Sequence, residues 1–211
     1  MALEIARFIA GFKRFQKQYF DPQEFRFGNL GQEQNPKVLL IGCSDSRVDP
    51  AILTGCAPGE LFVVRNVANL VPPCESDSQY HGVSAALEYA VCHLEVEHII
   101  VLGHSGCGGI SALMNGIPEG RPGAFIGKWV EIATRGKEQV LTELSGKEPE
   151  KQCRACEQAA ILISLENLLT FSWIAERVDS GKVLLHGWYF DISNGQLLSY
   201  RPESAAFVPL G

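Results

Sequence analysis

The sequence predicts an α/β protein: a mostly parallel β-sheet flanked by helices, with an N-terminal helical arm and a C-terminal antiparallel edge strand. Three observations lead there. Lys37 to Gly42, Leu61 to Val64 and His98 to Gly103 are short, unbroken apolar runs of the kind found in strands covered on both faces. Between the last two, Val83, Leu87, Ala90, Val91 and Leu94 recur at helical spacing, and strand–helix–strand order implies parallel strands joined by right-handed crossovers. Lys182 to Asp191, the turn residues Ser193-Asn194-Gly195, and Gln196 to Tyr200 read as a strand, a turn and a returning strand.

Taken in order, the chain opens on an amphipathic stretch from Leu3 to Phe20. Ile5, Phe8, Ile9, Phe12, Phe15 and Tyr19 share one helical face until Asp21-Pro22 stops the pattern. That aromatic stripe is wide for a terminal helix, so residues 1–20 are expected to pack against the body of the chain or against a second copy. After the third apolar run, Gly108 to Met114 reads as a short helix, followed by a loop through Pro118, Gly120 and Pro122. Two longer helices are predicted, from about Ala124 to Leu144 and from about Glu150 to Phe171, separated by Ser145-Gly146 and Pro149. At 211 residues, with no internal repeat, a single domain over 1–211 is expected.

The charge balance narrows the partners. With 18 basic and 24 acidic residues the formal charge is −6, and no dense Lys/Arg block offers the surface that nucleic-acid binding needs. No apolar run is long enough to cross a bilayer, so no membrane partner is expected. Arg7, Lys13, Arg14 and Lys17 give the first segment a superficial likeness to an import presequence, but it lacks a Ser-rich flank and a cleavage-like site. The 7 cysteines, an odd number spread through an apolar chain, argue for reduced thiols and a cytoplasmic location rather than a disulfide framework.

Two motifs carry chemistry: Cys43-Ser44-Asp45-Ser46-Arg47 and His104-Ser105-Gly106-Cys107. Each begins at the carboxyl end of an apolar strand, where open parallel sheets gather ligands and catalytic groups. Two such tips facing one cavity would join two thiolates and an imidazole, the donor set of a catalytic zinc site with a fourth position to spare. Thiolate and imidazole suit zinc, whereas magnesium or calcium would call for oxygen donors. Asp45 and Arg47, two residues apart, form a carboxylate–guanidinium pair. The carboxylate is expected either to accept a hydrogen bond from a metal-bound hydroxide or to bind the metal itself and close the site.

Other residues of the same types read as ordinary. His81, His93, His98 and His186 lie in loops, at element ends or in the last strand, and Cys153-x-x-Cys156 lacks the second half of a zinc ribbon and falls on a helix. The glycines from Gly103 to Gly109 suit tight turns around a metal better than a phosphate cradle, since no Lys-Ser/Thr pair follows them.

These motifs, with Gly-Glu-Leu-Phe-Val-Val-Arg-Asn at 59–66 and His186-Gly-Trp188, resemble the β-class carbonic anhydrases across nearly the whole chain. The resemblance implies one zinc per chain on Cys43, His104 and Cys107, an Asp45–Arg47 dyad, and reversible hydration of carbon dioxide to bicarbonate and a proton by metal-bound hydroxide. It implies a narrow apolar pocket lined by Gln34, Phe62, Val67 and Tyr89, partly across a dimer interface, and a homodimer or higher even-numbered homo-oligomer with the arm on a partner subunit. Some relatives close the site by swinging the aspartate onto zinc, favoured by bicarbonate held by a Trp, Arg and Tyr. Here Arg65 matches, but Leu40 and Phe190 replace the other two donors, so an open site is expected, with Asp45 held by Arg47. Two other functions are compatible with the motifs: hydrolysis of a carbon dioxide analogue such as carbonyl sulfide or carbon disulfide, and a purely structural zinc site.

Overall fold

The computed structural model describes residues 2–20, 33–75, 77 and 79–210. The chain divides into two compact units, residues 1–35 and 36–211. In the first, helix α1 (Ala2–Tyr19) carries the predicted stripe, with the rings of Phe15 and Tyr19 4.8 Å apart. Ile5, Phe8, Ile9 and Phe12 are all more than half exposed in the single chain. The expected stop at Asp21-Pro22 lies outside the described residues.

The second unit is built on six strands: β1 (Val38–Cys43), β2 (Leu61–Asn66), β3 (His98–His104), β4 (Leu184–Asp191), β5 (Gln196–Arg201) and β6 (Ala206–Pro209), in the order β2-β1-β3-β4-β5-β6. The first four pair in parallel and the last two pair antiparallel. Leu39, Leu40 and Ile41 of β1 are all fully buried although they alternate faces, which is why the run is apolar throughout. The chain leaves β1 toward β2 on one side and then crosses to β3 on the other. The crevice at the carboxyl ends of β1 and β3 is therefore the topological switch point, where such sheets place ligands.

The remaining elements refine the expected order. Helix α2 (Pro50–Thr54) was not anticipated, although its signals are local: Asp49 caps it by accepting from Ala51 N and Ile52 N, Pro50 opens it, and Gly55 ends it in the left-handed region. The helix expected over 83–94 is α3 (Gly82–Glu88) running into a π-helical turn, Tyr89–His93. Helix α4 (Gly108–Asn115) stands where it was predicted. The helix expected over 124–144 is broken by a 3-10 turn, Glu131–Ala133, into α5 (Ala124–Val130) and α6 (Thr134–Glu143). Helix α7 (Pro149–Leu168) is followed after a bend of 93° by α8 (Ser172–Asp179), and both α8 and β6 went unpredicted. The helix expected over 150–171 thus ends close to where it was predicted, while α8 starts after Phe171 without a side-chain cap to mark it.

One core lies between the sheet and α3, α7 and α8, around Leu39, Ile99, Val101, Ile161, Leu168, Ile174 and Tyr189. A second surrounds the ligand loops and includes Cys43, Ala68, Cys107, Ile110 and Cys156. Among the described residues no single helix is long and apolar enough to cross a membrane.

Candidate active site and metal centre

Cys43 ends β1, His104 ends β3, and Cys107 sits immediately before α4; all three are buried. Their ligand atoms lie within 4.8 Å of one another. The loop that joins the last two needs Gly106, whose φ of 68° is in the left-handed region, to bring Cys107 back beside His104 only three residues on. The first turn of α4 approaches the 67–69 turn so closely that a Cβ at Gly109 would stand 2.7 Å from Val67 Cγ1 and 2.9 Å from Ala68 Cβ. That turn places Ala68 and Asn69 at positive φ, and the Asn66 side chain braces it by bonding both the N–H and the carbonyl of Leu70.

Donor chemistry tests the fit to a metal. His104 Nδ1 lies 3.0 Å from the Ser105 carbonyl, which can only accept, so Nδ1 carries the proton and the lone pair is on Nε2. Nε2 is buried and, among the described residues, has no hydrogen-bond partner. An orphaned buried acceptor is costly unless something absent from the protein satisfies it. The sulfurs point the same way. Contact with Cys107 holds the Cys43 thiol well below its usual range, and the same contact, with burial, pushes Cys107 up. Two adjoining thiols therefore cannot both ionise without a cation. Burial disfavours the imidazolium, but the Cys43 thiolate and the Ser105 carbonyl outweigh it and raise His104. The trio has the donors, geometry and charge deficit of a soft divalent-metal site.

Asp45 is locked by Arg47. Arg47 Nε donates to Oδ1 at 2.9 Å, its NH2 group donates to Oδ2 at 2.7 Å, and its backbone N–H also reaches Oδ1 at 2.9 Å. These bonds hold the Asp45 carboxyl well below the usual carboxylate range. Asp45 Oδ2 lies 4.0 Å from His104 Nε2, and the same Arg47 NH2 group reaches the Gly106 carbonyl at 3.2 Å, tying one loop to the other.

Cys43, Asp45, Arg47, His104 and Cys107 of the two motifs thus meet in one place. Val67 packs on the first turn of α4, and its carbonyl accepts from Trp129 Nε1 at 2.7 Å. Phe62 and Tyr89 form a ring pair 5.9 Å apart, while Gln34 is exposed and belongs to the N-terminal unit. Sequence reading missed the support behind the ligand loop. Glu157 of α7 is buried, accepts from Cys107 N at 3.0 Å and from the Tyr189 hydroxyl at 2.7 Å, and its carboxyl is raised by burial. Its signal was a charge on a helix face it shares with Ala160, Ile161 and Ser164.

The carbonic anhydrase family model matches residues 38–197, spanning both ligand loops. The chain belongs to the β-class carbonic anhydrase family. It is similar to β-carbonic anhydrase 6, mitochondrial, of Arabidopsis thaliana (42% identity over 92% of this chain) and to β-carbonic anhydrase 5, chloroplastic, of the same plant (46% over 95%). It spans 66% and 64% of the lengths of those two curated relatives. Among solved structures it is similar to the β-carbonic anhydrase CcaA, at 36% identity, covering 99% of this chain and 92% of that one with a TM-score of 0.89. A tetrameric β-carbonic anhydrase of Sordaria macrospora matches at 32% identity and a TM-score of 0.75, over 94% of each chain.

The expectation of a cytoplasmic location is corrected by the two plant relatives, one mitochondrial and one chloroplastic. Free thiols point to a reducing environment, and the cytosol is one such compartment among several, so the inference from cysteine count was too narrow.

Proposed function

We propose that this chain catalyses the reversible hydration of carbon dioxide to bicarbonate and a proton, with one zinc ion held by Cys43, His104 and Cys107. The observation that carries the proposal is the buried His104 Nε2, without a hydrogen-bond partner among the described residues, beside two converging thiols. When bound, zinc supplies Lewis acidity that makes hydroxide available near neutral pH. The protein's own residues do the rest. Held ionised by Arg47, Asp45 can only accept hydrogen bonds, so a solvent molecule beside it must turn an O–H toward the carboxylate and leave a lone pair free for carbon dioxide. Phe62, Val67 and Tyr89, all in the second unit, are assigned to the substrate pocket, whose apolar walls suit a small molecule without a net dipole.

In this reading the fourth metal position stays open, with Asp45 on Arg47. Arg65 has no help from Leu40 or Phe190 in holding an anion, and each of its three nitrogens already donates one hydrogen bond to the protein. The exposed apolar face of α1 supports an even-numbered homo-oligomer in which that face is covered.

Purified protein should carry one zinc per chain by elemental analysis and should hydrate carbon dioxide in a stopped-flow assay. Full zinc occupancy without hydration would sink the catalytic reading. Hydration should follow a simple hyperbola with no inhibition by added bicarbonate beyond product competition. A structure of the zinc form at neutral pH with an Asp45 oxygen about 2.0–2.2 Å from the metal would overturn the open site.

A further inference from the structure

We infer that Arg65 is a positioning residue that holds the Asp45–Arg47 pair in register with the metal-ligand trio; the inference rests on the catalytic reading above. Arg65 stands near the end of β2, paired with Gly42 of β1. Its guanidinium spans three acceptors in the neighbouring loop: Nε donates to the Cys43 carbonyl at 2.9 Å, NH2 to the Asp45 carbonyl at 2.7 Å, and NH1 to Asp49 Oδ2 at 3.1 Å. One side chain therefore grips the loop at a ligand, at the dyad carboxylate's own residue, and at the residue that caps α2.

That grip falls where the sheet gives out. The β1–β2 ladder extends one residue past Cys43, through the bond from Ser44 N to the Asn66 carbonyl at 2.8 Å. At Asp45 the backbone carbonyl takes, among the described residues, one turn bond from Val48 N, at 3.2 Å, besides the shorter bond from Arg65. Arg47 cannot supply the register, because it sits two residues away on the same loop and moves with Asp45. Its single bond to the Gly106 carbonyl is longer, at 3.2 Å. The Arg65 fork is thus the direct side-chain tie from the sheet to the segment that carries the carboxylate. Lysine would keep the charge but offers one nitrogen in place of a rigid three-armed fork, so it cannot hold all three acceptors at once.

The test is Arg65→Lys, prepared with zinc and measured four ways. Zinc content and the thermal melt should stay near wild type. Turnover should fall about 10–100-fold with KM little changed, the signature of a group that orients rather than binds. A structure of the zinc-loaded variant should show the Asp45 carboxylate displaced relative to His104 Nε2. Wild-type turnover, or an Asp45 that has not moved, would overturn the assignment. So would loss of zinc or of a cooperative melt, because Arg65 would then be holding the ligand strand itself. If wild-type protein binds zinc but hydrates nothing, the catalytic reading fails, and the Asp45 position in the variant still decides whether Arg65 sets it.

Discussion

His104 illustrates how a single residue is committed from both sides: one nitrogen is fixed by its neighbour's carbonyl and the other is left buried with no hydrogen-bond partner among the described residues. His104→Ala or Cys107→Ser should therefore abolish zinc binding and turnover together. Groups that only support a metal ligand already cost about 10–100-fold when removed, and losing one of three ligands should cost more than about a hundredfold. A variant that lost zinc but hydrated carbon dioxide at the wild-type rate would defeat the assignment. Asp191, fully buried behind the same loop, gives a prediction about pH. Burial works against its charge, but the bond from Arg154 at 2.7 Å, with those from Ser193 N and Asn194 Nδ2, outweighs it and lowers its pKa. A folded-state value below that of the unfolded chain, about 3.9, means the contribution is fully present above that range. It is lost as pH falls through the lower folded value. Asp191→Asn should cost about 1.5–3 kcal/mol at neutral pH. Its melting temperature should also fall less steeply than wild type on acidification below about pH 4, and parallel acid limbs would refute this.

At the scale of elements, α7 does more than cover the sheet. It places Glu157 under the ligand loop, Arg154 beside Asp191, and Cys156 wholly inside the second core. Cys153 and Cys156 are one turn apart on this helix, and among the described residues neither joins a three-donor metal group. Burial raises the Cys156 thiol to about 12, as expected of an inert packed cysteine. Cys153→Ser with Cys156→Ser should keep full zinc and turnover while losing about 1–3 kcal/mol of stability, because a hydroxyl would enter an apolar site. Loss of stoichiometric zinc in that double variant would reveal a second metal site. The boundaries of such elements were legible only where capping residues or a break in pattern marked them. Gly108–Asn115 was predicted nearly to the residue, whereas the 3-10 break at 131–133 arises within a sequence whose periodicity continues through it.

At the scale of the whole molecule, the exposed Ile5, Phe8, Ile9 and Phe12 of α1 would be an aggregation liability in a lone chain. Deletion of the residues before Phe20 should give aggregated or unfolded protein by light scattering, and a soluble, active monomer would contradict that. Sequence alone determined the fold class and singled out Cys43, Asp45, Arg47, His104 and Cys107 as the candidate site. Both follow from short-range information: unbroken apolar strands set the parallel sheet, and each motif lies directly at a strand's carboxyl end. Sequence did not determine that β1 lies between β2 and β3, which is what turns two separate strand tips into one site. Nor could it find Arg65 as the tie across to Asp45, 20 residues away, or Glu157 under Cys107, 50 residues away. Those relations depend on which strands pair and which helix crosses them. They are long-range contacts that no local periodicity records, and only the tertiary structure decided them.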